Sequence, residues 1–353
     1  MDRELLDLYS DYLICQAHYS TATGLSALTE GKVSHDKVSR FLRGEDYSSK
    51  ELWGYIKPSV RRYETVSDGV LILDDTIEEK PYTDENEVVT WHYSHAKRRQ
   101  VKGIGLLSCL VRYGDSSLPI GFEVIKKDIS WCEIKTKHVK KKSSTSKNVL
   151  FRRLVAQAVK NAVLFDYVLA DNWFGSKKNM QFIHAELKKK FIIGLKSNRL
   201  VAFSEQEKKG GQFQQVNSID MKDGEQKLIW LKDQAFPVQL LKKIFTNEDN
   251  STGTLYLVTN DLSIDADHLY QVYQKRWRIE EFHKSIKQNT SLAKSPTKTV
   301  RTQSNHIFAS IIAYCKLELL KIKTATNHFA IKYQLLLKAN QAMLVEFKKM
   351  SAF

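Results

Sequence analysis

Three carboxylates in this chain could hold divalent metal ions. Asp171 ends an apolar run, Glu280 lies on a late helical segment, and the apolar run 69–75 ends in the adjacent acids Asp74 and Asp75. Two strand ends and a helix can bring hard oxygen ligands around two Mg²⁺ or Mn²⁺ ions ~4 Å apart, an arrangement typical of phosphoryl transfer. A single strand that ends in Asp is more often a turn or a helix N-cap, and the residues alone leave both adjacent acids open.

A polar stripe on the late helical segment supports the same chemistry. Tyr273, Arg276, Glu280 and Lys287 follow one another at spacings of three, four and seven residues. At ~100° per residue they fall within an arc of about 60° on one helix face, where the Tyr, Arg and Lys could hold phosphates beside the reacting one. The alternative is an exposed helix on which Arg276 and Glu280 form an i, i+4 salt bridge. The stripe borders an apolar arc, as a cleft requires: Val272, Ile279, Phe282 and Ile286.

The composition favours a folded protein that binds a polyanion. The 353 residues include 55 Lys and Arg against 40 Asp and Glu, a net charge of +15, and the pI is near 9.4. The hydrophobic content of 42% excludes wholesale disorder. No run approaches the ~20 apolar residues of a membrane helix, so we expect a cytoplasmic protein without a membrane partner. The four cysteines form no CxxC pair, which argues against a zinc ribbon or a disulfide framework.

Two basic regions are candidate DNA contacts. In the first, residues 23–44 form a pattern of two short helices around Gly31, with Arg40 on the outward basic face of the second. This pattern resembles a helix-turn-helix motif, although an ordinary helical hairpin with a solvated basic face fits it equally well. The second region is the lysine-rich stretch 135–147, which we expect to contact DNA backbone rather than bases. It includes Lys140, Lys141 and Lys142.

The order of the predicted elements favours an α/β protein with a mixed sheet. The buried run 69–75 precedes an antiparallel hairpin over 103–113 and 119–125, and a further short strand precedes Asp171. Residues 190–260 are rich in strands, and helices return afterwards. We predict five segments: a small helical N-terminal DNA-binding domain (1–65), the first part of a catalytic core (66–190), a β-strand insertion (191–253), the second part of the core (254–325) and a C-terminal helical tail (326–353).

The polar stripe also reproduces the string Y-x2-R-x3-E-x6-K. This string resembles the YREK signature of DDE transposases of the insertion sequence four family. The resemblance extends to LILDDT around Asp75 and to VLADNWF around Asp171. It also takes in the β-rich insertion and the helical N-terminal domain, and so covers most of the chain.

The resemblance implies a ribonuclease-H-like core in which Asp75, Asp171 and Glu280 bind two Mg²⁺ ions, with Mn²⁺ as a substitute. Asp75 is favoured over Asp74 because the family's Asp tends to precede a Thr, here Thr76. The implied activity is cleavage at transposon ends and joining of the freed 3′-hydroxyl to target DNA. The implied partners are double-stranded DNA, as terminal inverted repeats and target, and a second copy of the chain in a homodimer on that DNA.

By the same resemblance, Tyr273, Arg276 and Lys287 would contact DNA phosphates near the scissile bond. Two other functions remain open. An inactive or domesticated relative would bind DNA without cutting it, and the intact acids argue against that function. A metal-dependent nuclease would hydrolyse DNA without strand transfer, and only the reaction products distinguish it from a transposase.

Overall fold

The structure is a computed structural model that describes residues 2–64, 69–95, 97–134, 137, 139–246 and 248–351. Its N-terminal part is helical, as the sequence predicts. The helices there are α1 (Arg3–Cys15), α2 (Ala22–Leu28), α3 (His35–Arg43) and α4 (Ser49–Tyr63). The predicted boundary between residues 65 and 66 lies outside the described residues.

Local capping and burial explain the α2–α3 pair. Gly31 lies in the turn between these helices with a φ of +77°, a conformation that costs little without a side chain. The Ser34 side chain accepts a hydrogen bond from the Lys37 N–H and so begins α3. Val38 is buried while Arg40 is exposed, which confirms the predicted inward and outward faces.

The strands form one large mixed sheet and a separate two-stranded hairpin. In the sheet, the pairs β1–β7 and β7–β8 are parallel and all other pairs are antiparallel. Its strand order is β10-β9-β11-β12-β13-β8-β7-β1-β3-β2, with β4 also paired to β3, while β5 and β6 form the hairpin. The strands are β1 (Val70–Glu79), β2 (Val89–Ser94), β3 (Arg99–Tyr113), β4 (Ser116–Ile125), β5 (Ile129–Cys132), β6 (Val139–Lys142), β7 (Tyr167–Ala170), β8 (Lys190–Leu195), β9 (Leu200–Ala202), β10 (Gln214–Gln215), β11 (Gln226–Leu231), β12 (Val238–Thr246) and β13 (Thr252–Thr259).

Strand β1 is longer than the sequence predicts. The prediction ended the strand at its acids, but β1 pairs with β3 as far as Glu79, opposite Gly103. Its parallel pairing with β7 stops much earlier, at Ile72 opposite Leu169. Because β3 supplies hydrogen-bond partners that the single strand does not reveal, the acids lie inside β1. They still lie beyond the last parallel pair, at the edge where β7 ends.

The later helices surround the sheet. They are α5 (Lys147–Lys160), α6 (Lys177–Gln181), α7 (Glu205–Lys209), α8 (Ala266–Gln274), α9 (Arg278–Gln288), α10 (Val300–Thr324) and α11 (His328–Ser351). The segment predicted as one helix with a polar stripe is in fact α8 and α9, joined by the 3₁₀ turn Lys275–Trp277. Among the described helices, none is long and apolar enough to cross a membrane.

The strand-rich segment and the N-terminal helices both join the core directly. Strand β8 pairs with β7 in parallel and with β13 in antiparallel fashion, so the segment predicted as an insertion extends the same sheet. On the helical side, the Tyr9 hydroxyl lies 2.9 Å from Nδ1 of His306 in α10. The side-chain oxygen of Asn305 accepts a hydrogen bond of 3.1 Å from the Tyr47 N–H. These contacts hold α1 and the α3–α4 connection against α10.

Candidate active site

Asp74 and Asp171 lie close together at the edge where β7 ends. Asp171 follows β7 directly, and its carboxylate accepts a hydrogen bond of 3.0 Å from the Trp173 N–H. Asp74 shares a sheet face with Ile72, which is the strand partner of Leu169. Burial and repulsion by Asp171 raise the pKa of Asp74 to about 7. Two largely buried carboxylates are thus near enough to oppose each other's ionisation.

Arg276 connects these acids to Glu280. Its guanidinium lies 3.4 Å from Oδ2 of Asp74 and 3.0 Å from Oε1 of Glu280. Burial raises the pKa of Asp171, and the charge of Arg276 opposes that rise. Burial disfavours the charged form of Arg276 itself, yet Tyr273, Asp74 and Glu280 raise its pKa above the usual value. Arg276 is therefore the common neighbour of the carboxylate cluster, by which we mean Asp74, Asp171 and Glu280.

Asp75, the acid that the sequence favoured, lies on the opposite face of β1. Its Oδ2 atom accepts a hydrogen bond of 2.6 Å from Nζ of Lys147, the first residue of α5. Adjacent side chains in a strand alternate between faces, so Asp74 and Asp75 cannot both face α9. Asp75 is still close enough to Asp171 for its charge to raise the pKa of that acid. The face that α9 covers carries Asp74.

Tyr273 and Lys287, two members of the polar stripe, are held inside the protein. Tyr273 is buried, its ring centre lies 5.8 Å from Cζ of Arg276, and burial raises its pKa to about 12. Lys287 donates hydrogen bonds to Oγ1 of Thr76 at 2.8 Å and to the Ile77 carbonyl at 2.7 Å. Burial lowers the pKa of Lys287. Lys287 thus fixes α9 against β1, while Tyr273 packs beside Arg276.

The donor atoms of the carboxylate cluster suit a hard divalent cation. Within the described residues, no three or more His, Cys, Asp or Glu side chains are gathered tightly enough to form a metal site as they stand. The cluster nevertheless offers carboxylate oxygens only, which Mg²⁺ prefers. Burial, and then repulsion by Asp171, raise the pKa of Asp74 to about 7, and a bound cation would favour its charged form. The chemistry of this donor set therefore suits a divalent metal ion.

A basic and aromatic surface adjoins the cluster, and the sequence did not reveal one of its members, Lys196. Trp173 is 49% exposed, and the ammonium groups of Lys147 and Lys196 lie 5.9 Å and 5.2 Å from its ring centre. Lys196 directly follows β8, the parallel neighbour of the strand that ends before Asp171. The signal that could have revealed Lys196 is this position, because the ends of neighbouring parallel strands meet at one edge of a sheet.

The other basic residues predicted to bind DNA lie on separate elements. Lys140 and Lys141, on the β5–β6 hairpin, form ion pairs with Glu133 at 2.7 Å and with Glu85 at 3.4 Å. Lys142 lies on the same strand and is exposed. Arg40 is exposed on α3. Residue 135, the first lysine of the predicted stretch, lies outside the described residues, as do residues 136 and 138.

Comparison with protein families decides which family this geometry belongs to. Residues 134–316 match the family described as a transposase DDE domain, and residues 1–212 match the family described as a DDE superfamily endonuclease. Each match covers more than half of the chain. The chain belongs to the DDE transposase superfamily. This membership and the mixed sheet confirm the predicted α/β class with a ribonuclease-H-like core.

Membership supports a DNA-cleaving function of the transposase type, with DNA as substrate, and DDE enzymes generally use divalent metals. Other comparisons add little. No curated protein matches this DDE chain. Among solved structures, an endonuclease V from Bacillus subtilis is similar at 12% sequence identity over 68% of this chain and 94% of its own, with a TM-score of 0.29. That similarity is too low to show a shared fold.

Proposed function

We propose that this chain is a DNA transposase of the insertion sequence four type. It cuts at the terminal inverted repeats of a transposon and joins the freed 3′-hydroxyl to target DNA, in the cut-and-paste mode. The observation that carries the proposal is the position of Arg276, which lies between Asp74 and Glu280 and opposes the rise that burial causes in the pKa of Asp171. The Tyr, Arg, Glu and Lys spacing of the family signature thus coincides with an acidic cluster of partly buried carboxylates.

The metal ligands in this proposal are Asp74, Asp171 and Glu280. Asp74 replaces the Asp75 that the sequence favoured, since Asp74 is the member of the pair that contacts Arg276. A bound pair of Mg²⁺ or Mn²⁺ ions would lower the pKa of the attacking hydroxyl and stabilise the leaving oxygen. Arg276 holds the carboxylates in place, and its partly buried guanidinium is suited to a DNA phosphate when metal satisfies the acids.

The DNA strand that carries the scissile phosphate is bound by Lys147, Trp173 and Lys196. Two lysines around a half-exposed tryptophan combine phosphate attraction with a stacking surface beside Asp171. Tyr273 and Lys287 would contribute by positioning, because both are engaged within the protein. Lys140, Lys141, Lys142 and Arg40 provide sequence-independent contacts farther along the DNA. Two copies of the chain act together on paired ends.

The test is cleavage and joining of a labelled transposon-end fragment with Mg²⁺ or Mn²⁺. The fragment carries the inverted repeat found beside the gene. Glu280→Gln is compared with Glu281→Gln, a matched control because the adjacent Glu281 pairs with Arg278 at 2.7 Å away from the cluster. We expect wild type and Glu281→Gln to cut and join, and Glu280→Gln to do neither while still binding DNA.

Other outcomes identify the alternatives. A wild type that binds the fragment but never cuts it is an inactive DNA-binding relative. A wild type that cuts without producing joined strands is a nuclease of the same core, since water and a 3′-hydroxyl can use one site. Full activity in Glu280→Gln would contradict the ligand assignment itself.

A further inference from the structure

Strand β2 exposes two aromatic rings on one of its sides. Thr90 and His92 are buried on the other side, where the Thr90 hydroxyl lies 2.9 Å from Nε2 of His92. The alternate side chains, Trp91 and Tyr93, are 52% and 50% exposed. Strand β2 also stands at the end of the strand order, so these rings lie at an edge of the sheet. Two large rings held side by side in solvent indicate a contact surface.

Positive charge lies beside the two rings. Lys102 is the register partner of Trp91, so the two side chains share one face of the sheet. Arg98 lies in the turn after β2, Arg99 is the first residue of β3, and both are exposed. In the part of the chain that the structure describes, none of these three cations pairs with a carboxylate. We call Trp91, Tyr93, Arg98, Arg99 and Lys102 the β2–β3 surface.

The two rings share a sheet face with the carboxylate cluster. Ile104 in β3 pairs with Glu78 of β1 on one side and with Val89 of β2 on the other. Register partners lie on one face, and side chains alternate along each strand. Counting in twos from Glu78 leads to Asp74, and counting in twos from Val89 leads to Trp91. Both residues therefore lie on the face that α9 covers in part.

The separation between the two sites suits a strand of DNA. Asp74 pairs with residue 108 of β3 and Trp91 with residue 102, six positions farther along. Six strand residues span about 20 Å, which is the rise of about six stacked nucleotides. Burial lowers the pKa of Lys287 in α9, and the charge of Lys97 in the hairpin turn acts in the same direction. A DNA strand that enters the carboxylate cluster can therefore reach the hairpin within a few nucleotides.

We propose that the β2–β3 surface binds an unpaired DNA strand beside the cleavage site. Trp91 and Tyr93 stack on its bases, while Arg98, Arg99 and Lys102 hold its phosphates. The inference rests on the DNA-cleaving function proposed above and adds the form of DNA that is held there. In a duplex the faces of the bases are covered by their neighbours, so only an unpaired strand offers them to exposed rings. A protein strand added to the edge of β2 would bind through its backbone and would leave these cations without a partner.

The experiment is fluorescence anisotropy of the full chain in EDTA, which prevents cleavage. The probes are a labelled poly(dT) strand of about 20 nucleotides and a labelled duplex of the same length. Trp91→Ala and Tyr93→Ala should each raise the Kd for the single strand at least about fivefold, and the Kd for the duplex less than about twofold. Trp91→Phe keeps a ring and should recover most of the affinity. Tyr333→Ala is the control, because it removes a ring that is 66% exposed on α11, and it should bind like wild type.

A salt series tests the cations. Each phosphate contact with a single strand contributes about 0.7 to the slope of log K against log salt, so the double variant Arg98→Ala, Arg99→Ala should lower the slope by about 1.4. An unchanged slope would exclude both arginines from the strand. Circular dichroism of all variants checks that the fold is intact.

Two further outcomes would overturn the inference. Equal losses on the single strand and the duplex in Trp91→Ala would show that the surface does not select unpaired DNA. Unchanged single-strand binding in both Trp91→Ala and Tyr93→Ala would remove the rings from the site. Either result, obtained with a wild type that cuts the transposon-end fragment, contradicts this inference alone. A wild type that binds neither probe and cuts no end fragment contradicts the proposed function as well.

Discussion

Asp74 and Asp75 are neighbours in β1, yet they belong to opposite faces of the sheet. Asp74 lies 3.4 Å from Arg276 on the face that α9 covers, whereas Asp75 lies 2.6 Å from Lys147 at the start of α5. The side-chain period of a strand is two, so one residue of difference exchanges the two environments. The pair thus offers an internally controlled comparison of two carboxylates with the same chemistry.

Asp74→Asn should abolish metal-dependent cleavage of a transposon-end fragment, because it removes a ligand next to Asp171. Asp75→Asn should retain measurable cleavage, because it removes the partner of Lys147 on the other face. Single-turnover cleavage rates at saturating DNA measure both. Loss of activity in Asp75→Asn with retention in Asp74→Asn would reverse our assignment and return it to the one that the sequence favoured.

Lys196→Ala should weaken DNA binding and reduce the salt dependence of binding. One fewer phosphate contact lowers the slope of log K against log salt by about 1, with little effect on sequence preference. Lys316→Ala is the control, because the Lys316 ammonium already lies 2.7 Å from both Asp7 and Asp11. Fluorescence anisotropy over a salt series measures both slopes. Equal salt-dependence slopes in wild type and Lys196→Ala would show that Lys196 does not contact a DNA phosphate.

Gly194→Ala should damage the loop that carries Asp171. Gly194 lies in β8 against this loop, and a Cβ atom there would lie 2.8 Å from the backbone nitrogen of Asn172. The backbone must move, so we expect a loss of about 1 to 3 kcal/mol in the free energy of unfolding, together with slower cleavage. Urea unfolding and the cleavage rate measure the two effects.

The control for this substitution is Gly54→Ala, which introduces the same methyl group in an exposed part of α4. No atom lies within 4 Å of a Cβ built there. Alanine is the better helix former, so this variant should gain about 0.5 to 1 kcal/mol of stability. A stable, fully active Gly194→Ala protein would show that the Asp171 loop tolerates displacement.

His306 should make the protein less stable in mild acid. Its Nε2–H donates to the Ser291 carbonyl, its Nδ1 accepts from the Tyr9 hydroxyl, and burial lowers its pKa to about 4. Below pH 6.5 the histidine binds a proton in the unfolded chain but stays neutral in the folded chain. The free energy of unfolding therefore falls as the pH drops from about 6.5 to about 4. From this residue we expect a loss of about 2 kcal/mol between pH 7.5 and pH 5.

The measurement is urea unfolding at those two pH values for wild type and His306→Gln. His92 and His283 have pKa values lowered by burial in the same direction, so wild type should lose more than His306 alone explains. His306→Gln is less stable at both pH values, since it loses hydrogen bonds to Tyr9 and Ser291, but its stability should change less between them. An identical pH dependence in the two proteins would contradict the buried neutral state of His306.

The sequence by itself determined which segments form helices and strands and which residue types meet. The apolar run before Asp74 and the short run before Asp171 predicted two buried strands, and both are present as β1 and β7. The spacing of Arg276 and Glu280 predicted their proximity, and they lie 3.0 Å apart across one helical turn. These features depend on local periodicity and apolar patterning, which the chain carries in its own order of residues.

Only the tertiary structure decided which acid of the adjacent pair faces Arg276 and which lysines lie beside Trp173. The face of Asp74 is set by the pairing of β1 with β3 and β7, whose residues lie far away in the chain. Lys147 and Lys196 come together only because the start of α5 and the end of β8 lie at one edge of the sheet. Strand register and helix packing are long-range, cooperative choices, and a one-residue slip in strand register would exchange every face of the strand without altering the local pattern.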